Sequence, residues 1–186
     1  PRYKNEDFIA KELLPTKQPK HVVIIGAGPA GMKSATVASM RGHKVTLLEK
    51  SNFLGGALHY IAMEHYKLDI KYYLTYLVAQ IKKTDVDIKL GFTATPEIVR
   101  EMNPDVVIVA TGAKAMKPPI KGIDQDFVWD FYKAIENEKD LGKNIVIIGG
   151  GSIGAELGLE LAELHNRNVS IVEMTNEIAV QGNLLY

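Results

Sequence analysis

One glycine pattern occurs twice in this chain, each time in the same local context. Residues 21–31 read HVVIIGAGPAG, and residues 144–154 read NIVIIGGGSIG. Each copy follows a short apolar, β-branched run, which is typical of a buried parallel strand, and precedes a stretch with helical character. The next apolar run ends in an acid, Glu49 after the first copy and Glu173 after the second. The chain is therefore predicted to contain two units of strand, glycine-rich turn, helix and strand.

The three glycines of each copy have separate physical roles in holding a dinucleotide. They are Gly26, Gly28 and Gly31 in the first copy, and Gly149, Gly151 and Gly154 in the second. The first glycine permits a tight turn out of the strand, and the third lets the helix pack closely against that strand. The second leaves room for a pyrophosphate at the helix N-terminus, where backbone N–H groups and the helix dipole attract an anion. The acid, about 20 residues later, is placed to accept hydrogen bonds from a ribose.

The alternation of strands and helices predicts an α/β protein with two Rossmann-like units, each built on a parallel sheet. The predicted strands are 22–25, 44–49, 86–92, 105–111, one that starts at residue 144, and 169–173. The predicted helices are 29–40, 68–83, 96–102, 129–137 and 153–164, and 51–67 is predicted to be irregular. Because little chain follows Glu173, both sheets are expected to be incomplete at the C-terminal end, and the chain is expected to be a fragment.

The domain boundaries follow from the same reading. Residues 1–19 are a polar lead-in, and residues 20–113 form the first nucleotide-binding domain. Residues 114–126, with two adjacent prolines and several lysines, are predicted to be a linker. Residues 127–186 form the N-terminal part of the second nucleotide-binding domain.

Composition excludes several other functions. The 22 Lys and Arg residues balance the 22 Asp and Glu residues, so no basic field indicates nucleic acid as a partner. No apolar run approaches the roughly 18 residues of a membrane span, and no signal-peptide core is seen, so a cytoplasmic protein without a membrane partner is expected. Cysteine is absent, which removes disulfides, thiol nucleophiles and cysteine-ligated clusters from this chain. No metal-ligand set is assigned.

The second acid also predicts which pyridine nucleotide binds. Glu173 would repel the 2′-phosphate of NADP(H), and a site for that phosphate needs basic residues close behind the acid. Residues 174–178 read MTNEI and contain no Arg or Lys. NAD(H) is therefore favoured over NADP(H).

Two further segments carry a resemblance to a known group of proteins. Residues 54–56 read LGG, and residues 107–113 read VIVATGA ahead of the second glycine pattern. This order resembles the two-dinucleotide flavoprotein superfamily related to pyridine nucleotide-disulfide oxidoreductases. The phrases RGHKVTLLEK at 41–50 and NPDVVIVATG at 103–112 are similar to the C-terminal module of old-yellow-enzyme-type NADH:flavin oxidoreductases, the relatives of 2,4-dienoyl-CoA reductase, enoate reductase and trimethylamine dehydrogenase. The family often has Gln where this chain has Ala57.

The resemblance implies a function and a set of site residues. It implies FAD in the first domain, NAD(H) in the second, and hydride transfer from NADH to the flavin before electrons leave for a partner domain. FAD would be held by Gly26, Gly28, Pro29, Ala30, Gly31, Glu49, Lys50, Gly55, Gly56, Ala110, Thr111 and Gly112. NAD(H) would be held by Gly149, Gly151, Ser152, Ile153, Gly154 and Glu173. No catalytic side chain is assigned, because the flavin supplies the redox chemistry.

The implied partner is an old-yellow-enzyme-type barrel or another electron-acceptor domain. FMN and an iron–sulfur cluster would belong to such a partner and lie outside this chain. The chain alone would be inactive on the final substrate. An oligomer is compatible with this interpretation. Two alternatives stay open. In one, the first site holds ADP as a structural ligand of an electron-transfer flavoprotein. In the other, the chain is a non-catalytic nucleotide-binding module that docks a partner.

Overall fold

The computed structural model describes residues 13–179, and the chain divides into two compact units. The first unit contains Pro1–Ala62 and Asp69–Ala113, and the second contains Met63–Leu68 and Lys114–Tyr186. Most of the predicted lead-in, residues 1–12, and the end of the second predicted domain, residues 180–186, lie outside the described residues. Within residues 13–179, no helix has both the length and the apolar character needed to cross a bilayer.

The first unit is built on a four-stranded parallel sheet. Its strands are β1 (His21–Ile25), β2 (Lys44–Leu48), β3 (Asp87–Lys89) and β4 (Val106–Val109), in the order β3-β2-β1-β4. Its helices are α1 (Pro29–Met40), α2 (Ala57–Ile61), α3 (Leu68–Ile81) and α4 (Pro96–Glu101). Parallel neighbours need crossover connections, and the helices between the strands supply them.

The central strand β1 is buried on both faces of this sheet. Val22 and Ile24 belong to an apolar cluster that also contains Met32 of α1 and Leu77 of α3. Val23, which points to the opposite face, belongs to a second cluster with a buried residue of α4. Helices therefore cover both faces, and this double burial explains the continuous apolar run that the sequence shows at this strand.

The second unit contains a two-stranded parallel sheet. Its elements are α5 (Phe131–Glu136), a short 3-10 helix (Glu138–Asp140), β5 (Asn144–Ile148), α6 (Ser152–Glu163) and β6 (Asn168–Val172). Gly158 of α6 lies over this sheet, since a Cβ there would approach the side chains of Ile171 and Ile147 to 3.2 and 3.3 Å. A glycine at this position thus lets the helix lie close to both strands.

The fold class is as predicted, with three local corrections. A helix, α2, lies inside the segment predicted to be irregular. The runs at β4 and β5, predicted to be buried strands, keep exposed side chains: Val109 is 70% exposed and Val146 is 65% exposed. These side chains are exposed because each strand has one partner among the described strands: β4 pairs with β1, and β5 pairs with β6. In the second unit, α6 covers one face of β5.

Two leucines of the first unit test this description of the core. Leu47 is fully buried in β2, and Leu90 is 43% exposed just after β3. Leu47→Ala is expected to lower the free energy of unfolding by about 2–5 kcal/mol, because it leaves a cavity between sheet and helices. Leu90→Ala, the matched control, is expected to cost less than about 1 kcal/mol. Denaturant unfolding followed by circular dichroism measures both, and similar losses would contradict the described burial.

Candidate functional site

The first glycine turn, residues 26–31, joins β1 to α1. Gly26 has a φ of +98°, a conformation that side-chain-bearing residues rarely adopt. Its N–H donates a 2.8 Å hydrogen bond to the carbonyl oxygen of Leu48. A Cβ at this position would collide with the carbonyl oxygen of Ala110. The turn therefore requires glycine, and it brings the segment after β4 directly against the segment after β1.

The other two glycines of this turn differ in what surrounds them. A Cβ on Gly31 would collide with the carbonyl oxygen of Gly26, so the closest approach of α1 is to the turn itself, at the end of the strand. A Cβ on Gly28 would meet nothing within 4 Å. Gly31 is thus needed for packing, and the position at Gly28 leaves an open surface at the start of α1.

The second glycine turn, residues 149–154, repeats this arrangement between β5 and α6. Gly149 has a φ of +105°, and its N–H donates a 2.9 Å hydrogen bond to the carbonyl oxygen of Val172. A Cβ on Gly154 would collide with the carbonyl oxygen of Gly149, and one on Gly151 would meet nothing within 4 Å. The second turn therefore matches the first at its last two glycines. It differs at Gly149, where a Cβ would meet nothing within 4 Å, whereas one on Gly26 would collide with Ala110.

The helices that follow the two turns begin without a side-chain cap. The N-cap residues are Gly28 for α1 and Gly151 for α6, and neither helix has an acidic residue in its first turn. The short helices α4 and α5 differ, because Thr95 and Asp130 cap them through hydrogen bonds to backbone N–H groups of 3.4 and 2.9 Å. The first N–H groups of α1 and α6 lack such a side-chain partner and are placed to bind an anion.

Glu49 follows β2 and braces the first turn. Its Oε2 accepts a 2.7 Å hydrogen bond from the N–H of Ala27, and its Oε1 accepts 2.8 Å bonds from the N–H and hydroxyl of Ser51. Burial raises the pKa of this carboxyl, but the hydrogen bonds from Ala27 and Ser51 outweigh that effect and hold the pKa below its ordinary value. The group is a carboxylate at neutral pH.

Glu173 follows β6 and makes the equivalent contacts in the second unit. Its Oε2 accepts a 2.6 Å hydrogen bond from the N–H of Gly150, and its Oε1 accepts a 2.8 Å bond from the N–H of Thr175. These hydrogen bonds lower the pKa of Glu173, and the bond from Gly150 has the largest effect. Each acid therefore accepts a hydrogen bond from the residue immediately after the first glycine of its turn.

The remaining predicted residues of the first unit lie around the same turn. Gly55 donates a 2.9 Å hydrogen bond to the carbonyl oxygen of Ala27, and a Cβ on Gly56 would come within 3.0 Å of the Cα of Gly28. Thr111 and Gly112 follow Ala110 beyond β4, and Gly112 has a φ of +70°. Lys50 is exposed beside Glu49 and its charge also lowers the pKa of that acid. Pro29 and Ala30 are the first two residues of α1. In the second unit, the remaining predicted residues, Ser152 and Ile153, are the first two residues of α6.

A family model described as "Pyridine nucleotide-disulphide oxidoreductase" matches residues 20–183. The chain belongs to this family. It is 43% identical over 169 residues to "Bilirubin reductase" of Mediterraneibacter gnavus, covering 91% of this chain and 26% of that protein. It is 38% identical over 165 residues to "NADH oxidase" of Thermoanaerobacter brockii, covering 87% of this chain and 25% of that protein.

A solved structure is similar as well. The structure of 2-naphthoyl-CoA reductase with 2-naphthoyl-CoA matches with a TM-score of 0.86 and 34% identity, covering 92% of this chain and 26% of that one. These matches confirm the predicted superfamily and the α/β class, and they indicate binding of a flavin and a pyridine nucleotide by an oxidoreductase module. The chain spans about a quarter of the length of the relatives it matches.

Two features of the turns were missed by sequence reasoning. The first is that each acid accepts a hydrogen bond from the backbone of its own glycine turn. The similar spacing from turn to acid in both units is the sequence feature that could have indicated this. The second is the partner two positions after each acid, Ser51 in the first unit and Thr175 in the second, both of which carry a hydroxyl. Ser and Thr at this spacing are residue types that bond locally to a preceding acceptor.

Two alanine substitutions separate packing from open surface in the first turn. Gly31→Ala is expected to lower the free energy of unfolding by about 1–3 kcal/mol, because the new methyl group has to displace the backbone at Gly26. Gly28→Ala is expected to cost less than about 1 kcal/mol, because its φ of −69° suits any residue and the space is open. Equal losses for both variants in denaturant titrations would contradict the described turn.

Proposed function

We propose that this chain is the electron-input module of a larger flavoprotein, with FAD at the first glycine turn and NADH at the second. The observation that carries the proposal is the repeated combination of an open glycine, an uncapped helix and a braced glutamate. A bound flavin supplies the chemistry, because it accepts a hydride from the reduced nucleotide and passes electrons to an acceptor outside this chain.

The residues of the first turn fit the diphosphate of FAD. The missing side chain at Gly28 leaves room for two phosphates, and the N–H groups at the start of α1 attract their charge. Glu49 is ionised and keeps lone pairs to accept bonds from ribose hydroxyls. Gly55, Gly56 and the segment 110–112 line the same end of the sheet, so their backbone is proposed to contact the cofactor.

The second turn supports NADH rather than NADPH. Glu173 carries a negative charge at the end of β6, and such a charge favours a 2′-hydroxyl over a 2′-phosphate. No basic residue follows it in residues 174–178. The name of the Thermoanaerobacter brockii relative, an NADH oxidase, agrees with this preference. Gly151, Ser152 and Ile153 are proposed to supply the backbone that holds the diphosphate.

The acceptor is proposed to be a domain outside this chain. Relatives about four times as long leave room for one, and the resemblance predicts an old-yellow-enzyme-type barrel with FMN and an iron–sulfur cluster. No side chain of this chain is assigned an acid or base role in the hydride step. A cytoplasmic location belongs to the same proposal, which is compatible with an oligomer.

The direct test uses the purified protein and variants of both turns. The protein is expected to release FAD on denaturation, and its visible flavin band is expected to bleach anaerobically with NADH much faster than with NADPH. Gly28→Ala should lose flavin, because its methyl group occupies the space left for phosphate. Gly151→Ala should keep flavin and weaken the response to NADH.

Release of ADP without FAD would support the structural-ligand alternative, and no bound nucleotide would support the interaction module.

A charge reversal tests the assignment of Glu173. The double variant Glu173→Arg, Thr175→Lys is expected to shift preference towards NADPH by about tenfold or more, which corresponds to roughly 1.4 kcal/mol. Glu173→Gln is the control, because its amide oxygen can still accept the bond from Gly150 but carries no charge. The readout is the ratio of bleaching rates with the two nucleotides. An unchanged ratio in the double variant would place Glu173 away from the ribose.

A further inference from the structure

Three side chains that bind metals in many proteins meet within the second unit. Glu160 lies in α6, His165 follows the end of that helix, and His65 comes from the segment 63–68. One ligand atom from each lies within 4.8 Å of the other two. Because 95 residues separate His65 from Glu160, no local sequence spacing signals this cluster.

Glu160 is a buried carboxylate with incomplete hydrogen bonding. The residue is 5% exposed. Its Oε1 lies 3.0 Å from Nδ1 of His65 and accepts a 3.4 Å hydrogen bond from the N–H of His65. Its Oε2 is buried with no hydrogen-bond partner among residues 13–179. A buried carboxylate is stabilised by a cation or by a full set of donors, and this one lacks the full set. A buried acid with one unpartnered oxygen, and with two imidazoles close to its other oxygen, has the composition of a cation site.

His165 lies close to two carboxyl groups, those of Glu138 and Glu160. Its Nδ1 lies 3.1 Å from Oε1 of Glu138, and Arg167 holds that carboxylate at 3.3 Å through Nη2. Its Nε2 lies 4.0 Å from Oε1 of Glu160, which is too long for a direct hydrogen bond. Metal-binding histidines are commonly oriented by such a second carboxylate.

The segment 63–68 is anchored next to this cluster by further contacts with other acids of α6. Nζ of Lys67 lies 2.6 Å from Oε2 of Glu156 and 3.4 Å from Oε2 of Glu64. The hydroxyl of Tyr66 donates a 2.9 Å hydrogen bond to Glu163. The nearby lysine is thus engaged by two other carboxylates, and the surrounding acids make the site attractive to a cation.

We propose that His65, Glu160 and His165 bind one divalent transition-metal ion of the Zn²⁺ class. Two imidazoles and one carboxylate are a ligand set that Zn²⁺ accepts, with a further position left for solvent. The side chain of His65 is 63% exposed, so it can turn to shorten the ligand separations. The ion ties the segment 63–68 to α6 and compensates the charge of Glu160. This proposal is independent of the nucleotide sites.

The test measures zinc stoichiometry on tag-free protein that has been treated with a chelator and then titrated with ZnCl₂. Wild-type protein is expected to bind one more equivalent of Zn²⁺ than His65→Ala or His165→Ala, and to show a higher melting temperature with Zn²⁺ that these variants lack. Glu138→Ala is expected to weaken zinc binding by about 10–100-fold, since it removes the carboxyl group beside Nδ1 of His165. The side chain of His65 is 63% exposed, so its removal opens no cavity in the core.

Two controls distinguish metal binding from other effects. His43→Ala removes a histidine of the first unit, and Tyr66→Phe removes a contact of the segment 63–68 without touching a ligand atom. Both are expected to keep the additional equivalent of Zn²⁺. If wild-type, His65→Ala and His165→Ala bind the same number of zinc ions with the same affinity, the proposal is overturned, and the three side chains form a cluster that holds no ion.

Discussion

A hydrogen bond from a backbone N–H to a glutamate carboxylate holds the glycine turn in each of the two units of this protein. In the first unit the bond joins Ala27 to Glu49, and in the second it joins Gly150 to Glu173. Each bond ties the glycine turn to the end of the neighbouring strand. The same acid that faces the turn is thereby kept ionised, because hydrogen bonds to a carboxylate favour its charged form. Turn geometry and the electrostatics of the site therefore depend on one contact.

The glycines of the two turns show how one residue type serves two opposite needs. Gly31 and Gly154 have no side chain because the backbone of the turn occupies the space. Gly28 and Gly151 have no side chain although the space is open, which is the arrangement that an external ligand requires. Packing and ligand access are thus assigned to different positions within six residues of chain.

The segment 63–68 adds a feature that the repeated units do not share. In the sequence it lies between the two parts of the first unit, but in the structure it belongs to the second unit. There it contacts α6 through ion pairs and a tyrosine hydroxyl. A metal ion at Glu160 would make this connection strong, because coordination bonds hold a segment more firmly than exposed ion pairs do.

The sequence by itself determined the α/β class, the two glycine turns, helix α1 to the residue and the position of both acids, because backbone conformation and apolar periodicity are local properties. It also indicated the family that the comparisons confirm. Only the tertiary structure decided that the acids brace their turns, that β4 and β5 keep exposed faces, and that His65 meets Glu160. These contacts and exposures depend on which distant segments become neighbours in the fold, and the spacing of residues along the chain does not indicate that.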